Sequence, residues 1–208
     1  MKSSRPSRSR AAGFTMVEIL VTISIIALLA TLSIVAMGYA NRQSNRKKSE
    51  AYLKAIELML DRYKNDNGTY PRPKEGTEGN TVLVGGTNYS VGGAVTLYQA
   101  LTGDGDDGIE GGDTGSQGKA GSLGPDATVY WPDADPQGSQ RISRAADGKW
   151  YIGDGFGAPF QYKVPPPVDP RNPDNIENLR TEYKNPGSYD LWSYGGEYNN
   201  EKSWIKNW

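Results

Sequence analysis

Gly13-Phe14-Thr15-Met16-Val17-Glu18-Ile19-Leu20 opens an apolar run that reaches Tyr39. No charged residue lies between Ile19 and Met37, and the one acid, Glu18, stands at the head of the run. Phe14 to Tyr39 is 26 residues, which as α-helix measures about 39 Å. A hydrocarbon core of about 30 Å is crossed by roughly 20 residues, so the segment is long enough to span. An ionisable group inside such a segment is expensive and marks function. Lys2, Arg5, Arg8 and Arg10 precede the run, and Arg42, Arg46, Lys47 and Lys48 follow it. Positive charge in the short leader predicts a cytoplasmic N-terminus and an exported C-terminal part.

Three readings fit the segment. It is a plain signal anchor, or a secretory signal cut near Ala36-Met37-Gly38, or a helix left behind when a leader is cut at Gly13–Phe14. The second needs an apolar region longer than the usual 7–15 residues. The third leaves a new amine on Phe14 beside Glu18. Ala27, Ala30, Ser33, Ala36 and Gly38 offer small surfaces for close helix approach, a composition also ordinary in membrane helices.

The chain has 208 residues and a formal net charge of −1, room for one ordinary domain beside the apolar segment. That balance gives no electrostatic footprint for nucleic acid. Cysteine and histidine are both absent. Thiolate metal sites, disulfides, His-based triads and the usual neutral-pH general base are therefore excluded. No catalytic role is expected.

The helical pattern continues past the apolar run. Tyr52, Ile56, Met59, Leu60 and Tyr63 recur at helical spacing, with charges mainly on the other faces. Asn67-Gly68 and then Pro71 supply a stop. The spacing predicts one helix over 14–66, half in lipid and half against a domain. Val95–Leu101 reads as a short helix. The acidic, glycine-rich stretch from Gly103 to Asp113 misses EF-hand spacing and reads as a solvated loop. Gly115 to Gly124 extends it as a Gly/Ser-rich insert. Phe160 and Tyr162 alternate as in a strand, and Val164 to Pro173 is a proline-rich connector. Acid pairs in the insert are not placed in any pocket by the pattern. Abundant Tyr and Trp read as core and interface packing, with a glycan-binding or substrate-binding face as the alternative.

Residues 13–20 resemble the leader junction of type IV pilin-like prepilins and of type II secretion pseudopilins. Tyr63-Lys64-Asn65-Asp66-Asn67-Gly68-Thr69-Tyr70-Pro71, the segment Trp150–Tyr162, Ser188–Gly196 and the ending Trp204–Trp208 resemble later motifs of the major (G-type) pseudopilins. The resemblance implies that a prepilin peptidase cuts after Gly13, that Phe14 is then N-methylated, and that Glu18 is needed for assembly. It implies an α+β, pilin-like fold: a long N-terminal helix, transmembrane and then amphipathic, packed on a small antiparallel β-sheet. The organisation that follows is a leader over 1–13, a transmembrane helix over 14–39, an amphipathic extension over 40–67, and a periplasmic domain over 68–208 with its insert around 103–124.

The implied function is a structural subunit of a membrane-rooted helical filament, the type II secretion pseudopilus. A type IV or competence pilus subunit is the alternative, and a membrane-anchored envelope enzyme or glycan-binding module is a more distant one. Implied partners are further copies of the chain, minor pseudopilins, the prepilin peptidase, an inner-membrane assembly platform, secreted proteins and membrane lipid, with no nucleic acid. The resemblance also implies a calcium ion near the C-terminus. Its candidate ligands here are Leu191, Ser193, Glu197 and Glu201. The alternative for that loop is aromatic packing of Trp192, Trp204 and Trp208.

Overall fold

The computed structural model describes residues 13–74, 80–105, 108–110, 128–132, 134, 142–167 and 174–208. The leader up to residue 12, much of the Gly/Asp-rich insert (106–107 and 111–124) and residues 168–173 of the proline-rich connector lie outside them. The chain divides into two compact units, residues 1–43 and 44–208.

Helix α1 spans Met16–Asn67. It starts two residues later than the apolar pattern predicts, because Thr15 is engaged as its cap. In the first unit its apolar residues are exposed on every side. A helix that is apolar all round needs lipid or other chains to cover it. Among the described residues it is the one helix long and apolar enough to cross a membrane, which fits a single membrane-anchoring segment.

In the second unit α1 becomes amphipathic. Ser49, Leu53, Ile56 and Leu60 are its buried residues, at spacings of four, three and four that keep one face inward. Tyr52, Met59 and Tyr63 pack at the margin of the same core. The stripe is thus centred one position from the one read in the sequence, on Leu53 rather than Tyr52. The helix ends where Gly68 takes φ +78° and its N–H reaches Lys64 O at 2.7 Å. Only glycine adopts that left-handed C-terminal conformation without steric penalty.

The rest is small elements around this helix. Strands β1 (Thr81–Val84) and β2 (Thr87–Ser90) form an antiparallel hairpin, joined by Gly85-Gly86 with both φ values positive. That favours a tight two-residue turn. Helix α2 (Gly92–Thr102) is almost wholly buried. Strands β3 (Ile142–Arg144) and β4 (Trp150–Ile152) pair antiparallel. Strand β5 (Gln161–Lys163), helix α3 (Asp174–Glu182), strand β6 (Asp190–Ser193), a 3-10 turn (Glu201–Ser203) and strand β7 (Ile205–Lys206) complete the chain. Strands β5, β6 and β7 form one antiparallel sheet in that order. The fold is α+β as expected, with three small antiparallel sheets among the described residues in place of a single one.

The core lies between α1, α2 and the β5–β6–β7 sheet. Leu53, Ile56 and Leu60 meet Leu97, Leu101, Phe160, Leu191 and Ile205 there. Helix α2 lies against the backbone of β5. A Cβ on Gly93 would fall 2.5 Å from Tyr162 O, so any larger residue forces the two apart. The acidic stretch after α2 is not simply solvated. Asp104 is buried and accepts from Tyr98 Oη at 2.6 Å. Gly108 N–H donates to Gln99 Oε1 at 2.7 Å, and Thr96 Oγ1 donates to Gly108 O at 2.9 Å. A carboxylate and backbone groups tied to a buried helix cannot be a free loop.

Candidate functional site

Gly13, Phe14 and Thr15 lie outside the helix, immediately before its first residue. Phe14 is exposed. A Cβ on Gly13 would meet nothing within 4 Å, and its φ is not in the left-handed region. The fold itself therefore gives no reason for glycine at 13.

Thr15 and Glu18 close a reciprocal capping box. Thr15 N–H and Thr15 Oγ1 both donate to Glu18 Oε2, at 2.7 and 2.8 Å. Glu18 N–H donates back to Thr15 Oγ1 at 3.2 Å. The first four N–H groups of a helix have no partner within it, and S/T-x-x-E satisfies two backbone donors at once. At a membrane entry, where backbone donors need partners inside the protein, this matters more than in water. Both Thr15 donors fall on Oε2 and leave Oε1 for another donor. Thr15 was not singled out in the sequence, although the T-x-x-E signature was there to be read.

Residues 8–34 match the family described as the prokaryotic N-terminal methylation motif. This is a prepilin-type N-terminus. The chain is 38% identical over 69 residues to the type II secretion system core protein G of Klebsiella pneumoniae, covering 33% of this chain and 49% of that protein. It is 38% identical over 66 residues to the protein of the same name from Escherichia coli (strain K12), covering 32% and 46%. The protein of that name from Aeromonas hydrophila is 32% identical over 71 residues, covering 34% and 50%. The chain spans about half the length of the curated relatives it matches. No solved structure matches it significantly.

The C-terminal candidates are placed as follows. Leu191 and Ser193 lie on β6. Leu191 O accepts Asn207 N–H at 3.2 Å, and Leu191 N–H donates to Asn207 Oδ1 at 3.0 Å. Ser193 Oγ donates to Asp154 Oδ2 and accepts Gly195 N–H at 3.0 Å. Glu197 Oε2 accepts Asn200 Nδ2 at 2.6 Å. Glu201 Oε1 lies 2.8 Å from Lys206 Nζ. Leu191 O, Ser193 Oγ, Glu197 Oε2 and Glu201 Oε1 thus each meet a different partner, and no group of three or more His, Cys, Asp or Glu side chains assembles among the described residues. A hard divalent cation needs six to eight converging oxygens. As placed, these residues do not fit one.

A different polar cluster sits where α1 enters the domain. Asp154 is buried and its Oδ1 accepts the N–H groups of Phe156 at 2.8 Å and Ala158 at 3.0 Å. Burial pushes its carboxyl up from the ordinary value, and the bonds from Ser193 and the loop amides pull it partly back. Next to it, Gly155 N–H donates to Ser49 Oγ at 2.9 Å, and Ser49 Oγ donates to Asn45 O at 2.9 Å. A Cβ on Gly155 would lie 2.1 Å from Asn45 O, which closes that position to other residues. Arg46 Nη1 reaches Ser203 O at 2.7 Å. Asp190 fixes the turn before β6 by accepting Lys184 N–H and Asn185 N–H, each at 2.8 Å. None of these roles was read from the sequence. Asp154 lies in a Gly-Asp-Gly string that signals only a turn, and Arg46 read as one more flanking cation.

Proposed function

We propose that this chain is a structural subunit of a membrane-rooted helical filament of the type II secretion pseudopilus. The observation that carries the reading is the junction itself: Gly13–Phe14 outside the helix, followed by a capped apolar helix whose carboxylate keeps one oxygen uncommitted. The similarity to the core G proteins supports the secretion assignment over a surface pilus.

In this reading the leader is cut between Gly13 and Phe14. The fold makes no demand for glycine at 13, so the demand is assigned to the peptidase. Cutting frees an amine on Phe14, which is then methylated and stays cationic. Glu18 of one copy accepts that ammonium from a neighbour through Oε1, while Oε2 keeps its cap on Thr15. Two unit charges about 4 Å apart attract by about 4 kcal/mol at an effective dielectric constant of about 20. Among packed apolar helices a carboxylate without its partner costs roughly 3–5 kcal/mol. The pair therefore favours one axial register over its alternatives. The segment 14–39 stays in the inner membrane, and the domain lies on the exported side.

Mass spectrometry of the mature protein tests the junction. The expected N-terminus is N-methyl-Phe14. A chain that retains Met1, or one that begins after Gly38, would sink the proposal.

A further inference from the structure

Resemblance to the secretion pseudopilins brings with it a divalent cation in the loop between β6 and β7, yet here the oxygens of that loop are held otherwise. We propose that the loop folds without any divalent cation, because two cations of the chain itself, the Arg46 guanidinium and the Lys206 ammonium, hold it. The inference stands on the loop alone and does not rest on the filament reading.

The loop leaves β6 through Gly195 and Gly196, both at positive φ, and returns through the 3-10 turn Glu201–Ser203. Several of its polar groups already have partners within the chain. Ser203 O accepts Arg46 Nη1 at 2.7 Å, across 157 residues of sequence. Arg46 Nε lies 3.1 Å from Glu50 Oε1 one helical turn on, so the guanidinium is oriented from its own helix. A Cβ on Gly195 would fall 2.2 Å from Ser203 O and 3.6 Å from Arg46 Nη1. The loop thus closes tightly on the carbonyl that Arg46 holds. At its far end Lys206 Nζ lies 2.8 Å from Glu201 Oε1 and 5.2 Å from the centre of the Trp208 ring. The hydrogen bond from Lys206 keeps the Glu201 carboxyl below its ordinary value. Glu197 takes Asn200 on its carboxylate and the Trp204 indole N–H on its carbonyl, at 2.6 and 3.3 Å.

Aromatic packing closes the rest. Trp204 stacks on Trp192 at 6.3 Å and meets Tyr194 edge-on at 4.9 Å.

A dication bound through Ser203 O and Glu201 Oε1 would have to take them from Arg46 and Lys206 and then sit beside the two cations it displaced. Like charges at that separation repel. The two contacts are unequal. Lys206–Glu201 is a largely exposed pair, of a kind that contributes little. Arg46–Ser203 is part-buried and charge-assisted, a stronger class of hydrogen bond. Most of the holding is therefore assigned to Arg46.

The test uses the full chain in detergent, with thermal unfolding followed by tryptophan fluorescence. Wild-type protein should melt at the same temperature in excess EDTA and in millimolar calcium chloride, and calorimetric titration with calcium chloride should give no binding isotherm. Arg46→Met should lower the midpoint by about 4–8 °C. Arg46→Lys should recover part of that loss, and Glu50→Gln, which removes only the pair along the helix, should stay near wild type. A midpoint that rises by several degrees with calcium would overturn the proposal. So would an Arg46→Met protein that melts like wild type. If Arg46→Met does not fold, the wild-type calcium titration still decides.

Discussion

The start of α1 and the junction around Asp154 solve the same problem over different chain distances. Each brings a carboxylate, a hydroxyl and backbone N–H groups together. At the helix start the partners are Thr15 and Glu18, three residues apart. At the junction Ser193 and Asp154 are 39 residues apart, Ser49 and Gly155 are 106 apart, and Arg46 and Ser203 are 157 apart. The first cluster is fixed by helical geometry alone, so it forms wherever the sequence occurs. The second exists only once α1, the Asp154 turn and the β6–β7 loop have packed. A local motif can thus serve recognition by other proteins, whereas the long-range cluster serves the domain's own stability.

The largest expected effect breaks the local cluster. Glu18→Ala should reduce filament yield by about 10²–10³-fold while the protein still fractionates with membranes. Glu18→Gln sharpens the point, because glutamine keeps a capping box but carries no charge. Filaments from Glu18→Gln at wild-type yield would show that the cap, and not the ion pair, is what assembly needs.

Next comes the long-range cluster. Asp154→Ala removes the acceptor for two loop amides and for Ser193, and should destabilise the domain by about 3 kcal/mol or more. Asp154→Asn keeps an oxygen for both amides and should cost about 1 kcal/mol. Denaturant unfolding separates them, and equal losses from the two variants would show that charge rather than amide capture holds the turn.

A smaller effect is expected at Thr15. Thr15→Val keeps the shape of the side chain and loses the cap, a loss of about 1 kcal/mol that appears as a several-fold drop in assembled protein. Thr15→Ser should behave like wild type.

The smallest effect is a pH slope. The folded carboxyl of Asp154 lies above its ordinary value of 3.8 because of burial. In the window from 3.8 up to that raised value the folded chain holds more of this proton than the unfolded chain does. This group's contribution to stability therefore falls as pH rises through the window. Asp154→Asn should lack that slope, and identical stability-versus-pH curves for the two proteins would refute the burial argument.

Much of the molecule was legible in the sequence. The apolar length after Phe14, the stop at Asn67-Gly68, the short helix near Val95 and the strand at Tyr162 follow from periodicity and turn chemistry, whereas the segment around Leu191 was picked out by resemblance alone. The α1 stripe was readable to within one position. Helix α3 and the Gly85-Gly86 hairpin were passed over, the second despite its glycine pair between two short β-rich runs. Trp192, Trp204 and Trp208 were identified as a packing set, and the structure brings Trp192 against both of the others.

By itself the sequence determined the N-terminal half of the story: a prepilin-type junction, a membrane-length helix, and a single carboxylate at its head. Those features depend on neighbours within one turn of helix, and residue order alone specifies them. Tertiary structure decided that Asp154 is buried, that Ser49 and Arg46 hydrogen-bond to Gly155 and Ser203, and that Ser193, Glu197 and Glu201 point to separate partners. Which oxygens converge depends on how distant segments pack. A one-dimensional pattern records side-chain type and spacing and carries no information about the direction in which a loop turns its carbonyls.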